Sequence, residues 1–394
     1  MGPWPAHEFT TVPYKPSGRV PREDRMLAEI SPSVPPRIAG VHYYPERETM
    51  VLLEEAAVAM AALDAVSGPR MRAISGFLLR SEAVSSSKIE HVEAARDDVA
   101  RAIVGVKASE NARSVVAATD AIASMIADAG ATGSVRSEAL LKAHHTLMKD
   151  DPVDFKYAGR YRDVQNWIGG SDYTPLNAIH IPPVPDEVQG LMDDLLSFCN
   201  RSDIPVLAQA AIAHAQFESI HPFTDGNGRI GRAIIGSIAR RRNLTRQTVT
   251  PIASAMVADV DCYFSLVNAY RTGDLEPFVV YLASSAVLAV EASRESIHRL
   301  EDLPAEWMDA ARPRRGSADE KLIASLLEVP VFDAETAAGI AGVATPSIYG
   351  ALDRLTEAGV LHPLTKSKRY RAWAATEVLD EVERLTKRLS VPAA

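Results

Sequence analysis

Apolar residues recur at helical spacing along most of the chain, and two such runs flank a short polar loop. Residues 206–219 (VLAQAAIAHAQFES) are rich in alanine and predict a buried helix. Residues 229–239 (RIGRAIIGSIA) predict a second helix. Between them Pro222, Gly226 and Gly228 break the helical pattern. The pattern therefore predicts a helix–loop–helix unit whose loop opens onto the N-terminus of the second helix.

The same periodicity predicts helices over much of the remaining sequence, so the expected fold class is mainly α. It starts near Pro45 and continues to about residue 105. Further helices are predicted at residues 110–129, 137–147, 186–199, 262–270 and 276–299. The residues up to about Tyr44 are rich in proline and predict an extended arm packed on the body. Residues 151–185 carry Gly, Asn, Pro and aromatic residues, which is typical of a β-hairpin or flap.

The C-terminal segment, which follows a linker near residues 312–317, has a pattern of its own. In order, it predicts helices at residues 319–327, 334–341 and 345–358, then a two-stranded wing, then a last helix at 376–389. This order resembles a winged helix-turn-helix. The residues expected to face DNA are Thr345, Ser347, Tyr349 and Arg354 on the recognition helix and Lys366, Lys368, Arg369 and Arg371 on the wing.

The charge of this segment argues against a committed DNA-binding module. From Ser317 onward the sequence has nine Lys and Arg against eleven Asp and Glu, a net charge of −2. A DNA-binding domain usually carries a positive surplus. Contacts with DNA, with another protein and between two copies of the chain therefore all stay open.

The composition of the 394 residues is that of a soluble globular protein, with 47% apolar and 24% charged residues. The net charge of −9 argues against a chain that coats nucleic acid or an anionic membrane as a whole. Two cysteines, Cys199 and Cys262, favour a reducing compartment over a disulfide framework. The N-terminus lacks the apolar core of a signal peptide, and no stretch is expected to reach the length of a membrane span. We therefore expect a cytoplasmic protein.

The loop at residues 221–232 (HPFTDGNGRIGR) combines groups that handle phosphate. A helix N-terminus favours an anion, and Arg229 and Arg232, three residues apart, place two guanidinium groups on one face of the first turn. Asp225 adds an oxygen ligand of the kind that Mg²⁺ prefers. His221 supplies a base that is largely neutral near pH 7. Together these residues predict a phosphoryl- or nucleotidyl-transfer site.

These residues also match the signature of the Fic family, HPFx(D/E)GNGRxxR, at every fixed position. The resemblance extends over roughly residues 24–295. It implies a Fic/Fido helical bundle with a short β-hairpin flap, followed by a C-terminal winged-helix domain. The implied domains are an N-terminal arm and helical segment at 1–105, a Fic core at 106–300 and a winged helix-turn-helix at 313–394.

The resemblance assigns roles to the loop and to the flap at residues 159–185. His221 is the implied catalytic base, ATP the implied substrate and Asp225 the implied ligand of Mg²⁺. Tyr263 would border the adenine. The implied nucleotide-binding residues are Asn166, Trp167, Ile168, Gly169, Asp225, Gly226, Asn227, Gly228, Arg229, Ile230, Gly231, Arg232 and Tyr263.

Residues 81–96 (SEAVSSSKIEHVEAAR) resemble the family's autoinhibitory helix, whose pattern is (S/T)xxxE(G/N). Ser86 matches the first position and Glu90 the acid, while His91 stands where Gly or Asn is usual. The resemblance implies that Glu90 pairs with Arg232 and occupies the fork that the γ-phosphate needs. ATP would then bind with its phosphates misplaced for attack.

The implied reaction is the transfer of AMP from ATP to a Ser, Thr or Tyr hydroxyl of a protein target, or of the chain itself. The flap would hold the target's backbone as an added strand. Glu90 would also position a water for the reverse, de-AMPylating reaction. Relatives that transfer a phosphoryl group carry Lys where this chain has Gly228, which favours AMP transfer.

A function of a different class stays open. The Fic core could sense a nucleotide and control the winged helix as a transcriptional regulator, although sensing does not need the base, His221. A toxin with a separate antitoxin is disfavoured, because an inhibitory helix is present in the same chain. Relatives of this type often form dimers, so a homodimer is expected. His144 and His145 lack metal-ligand spacing and are expected to be structural or surface residues.

Overall fold

The computed structural model describes residues 4–65, 71–365 and 371–389, and helices dominate it. In chain order the helices are α1 Arg22–Arg25, α2 Arg47–Asp64, α3 Met71–Ile89, α4 Arg96–Ile103, α5 Glu110–Thr132, α6 Ser137–Met148, α7 Pro185–Cys199, α8 Val206–Ile220, α9 Asn227–Arg241, α10 Ile252–Met256, α11 Val260–Arg271, α12 Glu276–Ala311, α13 Ala318–Ser325, α14 Ala334–Ala341, α15 Thr345–Glu357 and α16 Thr376–Leu389. The strands are β1 Glu8–Phe9, β2 Val12–Pro13, β3 Glu29–Ile30, β4 Ser33–Val34, β5 Val331–Asp333, β6 His362–Pro363 and β7 Ala372–Ala374. The mainly α fold class predicted from the sequence is confirmed.

The chain divides into two compact units, each assembled from segments that lie far apart in sequence. The first unit comprises Met1–Ala57, Asp120–Leu244 and Val260–Ser284. The second unit comprises Val58–Thr119, Thr245–Asp259 and Ser285–Ala394. The domain boundaries predicted from the sequence stay predictions.

The core of the first unit is α8, the helix that the alanine-rich pattern predicted. Every side chain from Leu207 to Ile220 is buried. Small side chains let neighbouring helices approach closely, and α8 packs against α7, α9 and α11. Gly231 of α9 shows how close the approach is, because a Cβ there would lie 2.5 Å from Glu218 Oε1 and 2.9 Å from Phe217 Cδ1. This helix pair fixes both ends of the loop at residues 221–226.

The N-terminal arm of the first unit is extended, as its prolines predicted. β1 pairs with β4 and β2 pairs with β3, both antiparallel. Trp4 and His7 are buried, and the His7 N–H donates to the Arg271 carbonyl at 2.9 Å. The Ser33 N–H donates to the Ile181 carbonyl at 2.8 Å. The arm therefore packs on the body and also contacts the predicted flap.

The flap is mostly irregular and is closed by a single antiparallel bridge between Ile168 and His180. The Ile168 N–H donates to the His180 carbonyl at 2.9 Å. Gly169 and Gly170 follow with φ of 71° and 77°. Glycine adopts this left-handed conformation without steric cost, so the pair lets the chain turn back towards His180.

The second unit contains the C-terminal elements. β5, β7 and β6 form an antiparallel sheet in that order. α14 and α16 begin and end where the pattern predicted, whereas β5 was not predicted. The predicted helix, turn, helix and wing strands are present among the described residues. Their identification as a winged helix-turn-helix stays a prediction.

The helix predicted over residues 81–96 is wrong in its second half. α3 ends at Ile89, a turn follows, and α4 begins at Arg96. His91 adopts a left-handed φ of 57° in that turn. A positive φ favours Gly and Asn, the residues that the resembled pattern has at this position.

Among the described residues, three helical segments are long and apolar enough to cross a membrane, judged by length and composition alone. They are Glu110–Thr132, Ile252–Arg271 and Glu276–Ala311, each with a mean hydropathy of 1.2 in its most apolar window. The expectation that no stretch reaches the length of a membrane span is therefore wrong. Of those windows, 39%, 39% and 56% are buried inside the protein.

Candidate active site

The predicted loop joins α8 to α9 and is shaped by two residues with positive φ. His221 caps the C-terminus of α8 in a left-handed conformation, with φ 48° and ψ 62°. Gly226 precedes α9 with φ 76°. A left-handed conformation costs a residue other than glycine about 1–3 kcal/mol, and such residues concentrate at functional sites. The first turn of α9, whose N–H groups lack partners inside the helix, starts directly at this loop.

Two side-chain amides contact the His221 ring. Asn166 Nδ2 lies 2.9 Å and Asn227 Nδ2 lies 3.2 Å from His221 Nδ1. Both amides also donate to the Phe223 carbonyl, at 2.8 Å from Asn166 and 2.9 Å from Asn227. Both partners at Nδ1 are amide nitrogens, so in this arrangement Nδ1 accepts and Nε2 carries the hydrogen of the neutral ring. Among the described residues, Asn166 Oδ1 is buried without a hydrogen-bond partner, and turning that amide over would let it accept Nδ1–H and leave the lone pair on Nε2.

The surroundings of His221 keep its ring neutral. Burial, first, and the positive charges of Arg162 and Arg271, second, lower the pKa of His221 to about 3. Above that pH the ring is neutral and has one nitrogen lone pair. A general base needs this protonation state.

The two arginines predicted to bind phosphate are buried. Arg229 is 4% exposed and Arg232 is 1% exposed. Arg229 Nη2 lies 3.8 Å from Asp225 Oδ2. Two guanidinium groups beside a helix N-terminus suit the oxygens of a polyanionic ligand.

Asp225 lies on the outer side of the loop, with 54% of its side chain exposed. Its Oδ1 accepts the Gly226 N–H at 2.6 Å. In the part of the chain that the structure describes, no group of three or more His, Cys, Asp or Glu side chains could hold a metal ion. A single carboxylate nevertheless suits Mg²⁺, which keeps several waters and takes its other ligands from substrate phosphates. Asp225 therefore fits a metal ion that arrives with a nucleotide.

The other predicted nucleotide-binding residues of the flap, unlike Asn166, have their described contacts within the flap itself. Trp167 Nε1 donates to the Ser171 carbonyl at 2.7 Å, which folds the ring onto its own turn. Gly169 lies against Ile179, whose Cδ1 would be 2.8 Å from an added Cβ. Ile168 forms the bridge of the flap. The contacts of these residues with a nucleotide stay predictions.

The rest of the predicted set is buried. Asn227, Gly228 and Ile230 all belong to the buried part of α9, and Gly231 lies against α8 as described above. Tyr263 is 1% exposed, with its hydroxyl 2.8 Å from His214 Nε2. The predicted place of Tyr263 beside an adenine stays a prediction.

Ser86 and Glu90 belong to the second unit. Ser86 is fully buried in α3. Glu90 lies just beyond the end of α3, and its N–H donates to the Ser87 carbonyl at 3.1 Å. The inhibitory role of both residues stays a prediction.

The cations predicted to contact DNA have partners within the second unit where the structure describes them. Arg354 donates to both carboxylate oxygens of Asp319, at 2.9 and 2.8 Å. The Arg371 guanidinium lies 4.8 Å from the centre of the Trp373 ring. The remaining wing residues, Lys366, Lys368 and Arg369, lie outside the described residues.

His144, which was expected from the sequence to be a structural or surface residue, packs against the loop through Phe223 and the Asp225 backbone. It is 1% exposed, and its ring stacks on Phe223 with centroids 3.7 Å apart. Its Nε2 lies 3.1 Å from the Asp225 carbonyl, and its Nδ1 accepts the Gly159 N–H at 2.9 Å. Burial lowers the pKa of His144 to about 4, so the neutral ring donates with Nε2 and accepts with Nδ1.

Arg162 is a site residue that the sequence did not single out. It is 3% exposed, and its Nε donates to the His221 carbonyl at 2.9 Å. It lies 59 positions before His221 in the sequence. The signature motif is confined to residues 221–232, and the residues around Arg162 carry no pattern that indicates a contact with His221.

In this helical unit a helix N-terminus, two buried arginines and a neutral histidine meet at one loop, an arrangement that suits a phosphate-bearing ligand. Residues 134–239 match the family described as the Fic/DOC family. The match covers the loop, the helix before it and the helix after it as far as residue 239, so the resemblance noted in the signature motif is confirmed for these residues.

Individual relatives agree with this family. The chain is 30% identical over 156 residues to "Protein adenylyltransferase fic-1" of Caenorhabditis elegans, which is 39% of this chain and 27% of that protein. It is 30% identical over 138 residues to "Protein adenylyltransferase Fic" of Nematostella vectensis, 34% of this chain and 29% of that protein. The chain thus spans less than a third of the length of these curated relatives.

Among solved structures, a Fic family protein from Desulfovibrio desulfuricans G20 superposes with a TM-score of 0.54 at 22% identity. The match covers 84% of this chain and 98% of that chain. This likeness shows that the helical fold is shared.

Proposed function

We propose that the chain is a protein adenylyltransferase that transfers AMP from ATP to a hydroxyl group of a protein. The observation that carries the proposal is the loop at residues 221–232. It has a neutral histidine at one end and two buried arginines on the first turns of α9 at the other. The names of the curated relatives support the same activity.

In the proposed reaction His221 removes the proton of the target hydroxyl as its oxygen attacks the α-phosphorus of ATP. A new oxygen–phosphorus bond forms, the bond from the α-phosphorus to the oxygen that bridges to the β-phosphate breaks, and pyrophosphate leaves. The phosphates of ATP are anionic, so they raise the low pKa of His221 when they bind beside it. ATP binding therefore makes the ring a stronger base at the moment when it is needed.

The rest of the loop would hold the phosphates. Arg229 and Arg232 would bind the β- and γ-phosphates, and the N–H groups at the start of α9 would contact them as well. Asn227 helps indirectly, since its Oδ1 accepts the Phe223 N–H at 2.8 Å and so shapes the loop. Asp225 would hold the Mg²⁺ that arrives with ATP, and that ion would neutralise part of the phosphate charge.

We also propose that the flap presents the target. Exposed apolar side chains occur in and beside it, with Val164 at 41%, Tyr173 at 54% and Ile179 at 71% exposure. Exposed apolar residues that cluster near a site favour contact with another protein. A target strand docked there would bring its Ser, Thr or Tyr hydroxyl towards His221.

Finally, we propose that Glu90 inhibits transfer by competing with the γ-phosphate for a guanidinium group. Ser86 and Glu90 match the family's inhibitory pattern, and the left-handed turn at His91 supports the match. Reversal of the modification, with Glu90 positioning a water, belongs to the same proposal.

The test is incubation with ATP labelled on its α-phosphate, using wild type, Glu90→Gly and Glu90→Gly/His221→Ala. We expect weak labelling of protein in the wild type, strong labelling in Glu90→Gly and none in the double variant. Equal labelling with and without the Glu90 substitution would remove Glu90 as the inhibitor. Tight ATP binding without labelling in any form would favour a nucleotide sensor instead of an enzyme.

A further inference from the structure

We propose that Arg162 is a positioning residue for the transfer reaction, which ties the flap to the catalytic loop and holds His221 in its left-handed conformation. The inference rests on the proposed function in one respect, the role of His221 as the base. Nothing in the signature motif assigns a role to Arg162, because the residue lies in the flap.

Within the described part of the chain, Arg162 makes four side-chain hydrogen bonds and one backbone hydrogen bond around the loop, all to main-chain carbonyls. It is 3% exposed, and its polar hydrogens are directed at main-chain oxygens. It donates to the carbonyls of His221 (2.9 Å, from Nε), Val164 (3.2 Å, from Nη1), Pro183 (2.6 Å, from Nη2), Ile220 (3.4 Å, from Nη2) and Pro222 (2.8 Å, from the backbone N–H).

Three of these carbonyls belong to the consecutive residues 220–222, where α8 ends. The last carbonyls of a helix have no partner inside it, so a buried donor is required there. The other two carbonyls belong to Val164 and Pro183, one on each arm of the flap. Arg162 therefore connects both arms of the flap with the backbone on either side of the His221 ring.

The left-handed conformation of a histidine costs free energy, so it persists only where surrounding contacts stabilise it by more than that cost. The guanidinium group can do this because it is planar, always charged and carries five donors in a fixed fork. The ammonium group of lysine has the same charge but lacks the fork. Exchange of Arg162 for lysine therefore separates the geometric effect from the effect of charge.

The charge of Arg162 has its own consequence. After burial, it is the largest influence that lowers the pKa of His221. Arg162→Gln removes that charge and should raise the pKa of His221, whereas Arg162→Lys should leave it low. This difference measures the effect of the charge alone, whereas a lower kcat in Arg162→Lys, which keeps the charge, measures the effect of the geometry.

The test compares Arg162→Lys with Arg136→Lys, a control outside the flap whose exposed guanidinium pairs with Asp128. AMP transfer is measured in the Glu90→Gly background, with kcat and the KM for ATP determined separately. We expect Arg162→Lys to lower kcat by about 10²-fold, the effect of a misplacement of about 1 Å, with the KM for ATP nearly unchanged. The control should change neither constant.

A wild-type kcat in Arg162→Lys would overturn the proposal, and so would a loss confined to the KM for ATP. NMR titration of the His221 ring in both Arg162 variants provides a readout that needs no activity. An absence of labelling in the Glu90→Gly background itself would refute the adenylyltransferase function, while hydrogen exchange at the Arg162 Nε–H would still test its bond to the His221 carbonyl.

If the Arg162 variants do not fold, the proposal can still be tested on the wild-type protein by hydrogen exchange. The Arg162 Nε–H is buried and bonded to the His221 carbonyl, so its hydrogen exchange should be strongly retarded in ¹H–¹⁵N spectra. Rapid exchange of that hydrogen in the folded wild type would overturn the proposed linkage.

Discussion

At the scale of single residues, the conformation of His221 depends on side chains that come from distant parts of the sequence. Asn227 belongs to the same loop, but Asn166 lies 55 positions and Arg162 lies 59 positions earlier. The signature motif could be read because its residues are continuous. The supporting contacts could not, since a flap arginine gives no sign of which carbonyls it will meet.

The low pKa of His221 predicts the pH dependence of transfer. Because the folded-state pKa is lowered to about 3, the ring is deprotonated at every pH well above that value. We therefore expect kcat/KM, corrected for the titration of ATP itself, to show no acidic limb near the ordinary histidine pKa of about 6.5. An acidic limb near that pH in the free enzyme, at the same pH as the titration of the His221 ring by NMR, would contradict this assignment.

Gly231 was predicted as part of the nucleotide-binding loop, and the structure gives it a packing role. A Cβ at Gly231 would lie 2.5 Å from Glu218 Oε1 and 3.2 Å from His214 Nδ1. We expect Gly231→Ala to lower the free energy of unfolding by about 1–3 kcal/mol through overpacking. Gly339→Ala, in the open surroundings of α14, is the control and should raise it by about 0.4–1 kcal/mol. Urea denaturation of both variants checks this, and equal effects would contradict it.

At the scale of elements, local patterns predicted the helices well and the pairings poorly. α14 and α16 could be located because their apolar periodicity and flanking residues are local signals. β5 could not, because its partner β7 begins about 40 residues later and only their pairing makes it a strand. The end of α3 was missed because residues 92–95 include good helix formers, while the turn depends on the left-handed His91.

The packing of α16 on α3 within the second unit leads to a prediction about inhibition. Ser85 Oγ lies 3.2 Å from Thr386 Oγ1, and Arg96 pairs with Asp380. If Glu90 inhibits transfer, loosening this contact should weaken inhibition. We expect Asp380→Arg to raise AMP transfer up to about fivefold, since a partly exposed ion pair contributes at most about 1 kcal/mol.

The charge-swapped variant Arg96→Asp/Asp380→Arg is the matched control and should return transfer to the wild-type level. In the Glu90→Gly background, Asp380→Arg should have no effect. A rise that persists in that background would show that α16 acts by a route other than Glu90.

At the scale of the whole molecule, the first unit keeps several histidines in their neutral form. The pKa is lowered to about 3 for His7, His214 and His221 and to about 4 for His144, with burial as the largest cause each time. These residues come from the arm, α6, α8 and the loop. The sequence could not predict their common burial, because it depends on how segments 1–57, 120–244 and 260–284 fold together.

These histidines predict a loss of stability in mild acid. Below about pH 6.5 the unfolded chain binds protons that the folded protein does not, so the free energy of unfolding falls as the pH falls. Each such group contributes about 1.4 kcal/mol per pH unit between the unfolded pKa and the folded one. Thermal denaturation from pH 7 to pH 4.5 should show a steadily falling Tm, and His144→Gln should reduce the slope. A Tm that is constant over this range would contradict the neutral burial of these residues.

The measurement that tests the central claim most directly uses two samples of ATP, one labelled on the α-phosphate and one on the γ-phosphate. Each is incubated with Glu90→Gly and with Glu90→Gly/His221→Ala, and protein-bound label is counted. AMP transfer by the loop at residues 221–232 predicts that only the α-label reaches protein and that the γ-label leaves in pyrophosphate. His221→Ala should abolish both the labelling of protein and the release of pyrophosphate. Protein-bound γ-label would mean phosphoryl transfer, and α-label that survives His221→Ala would contradict the role of His221 as the base.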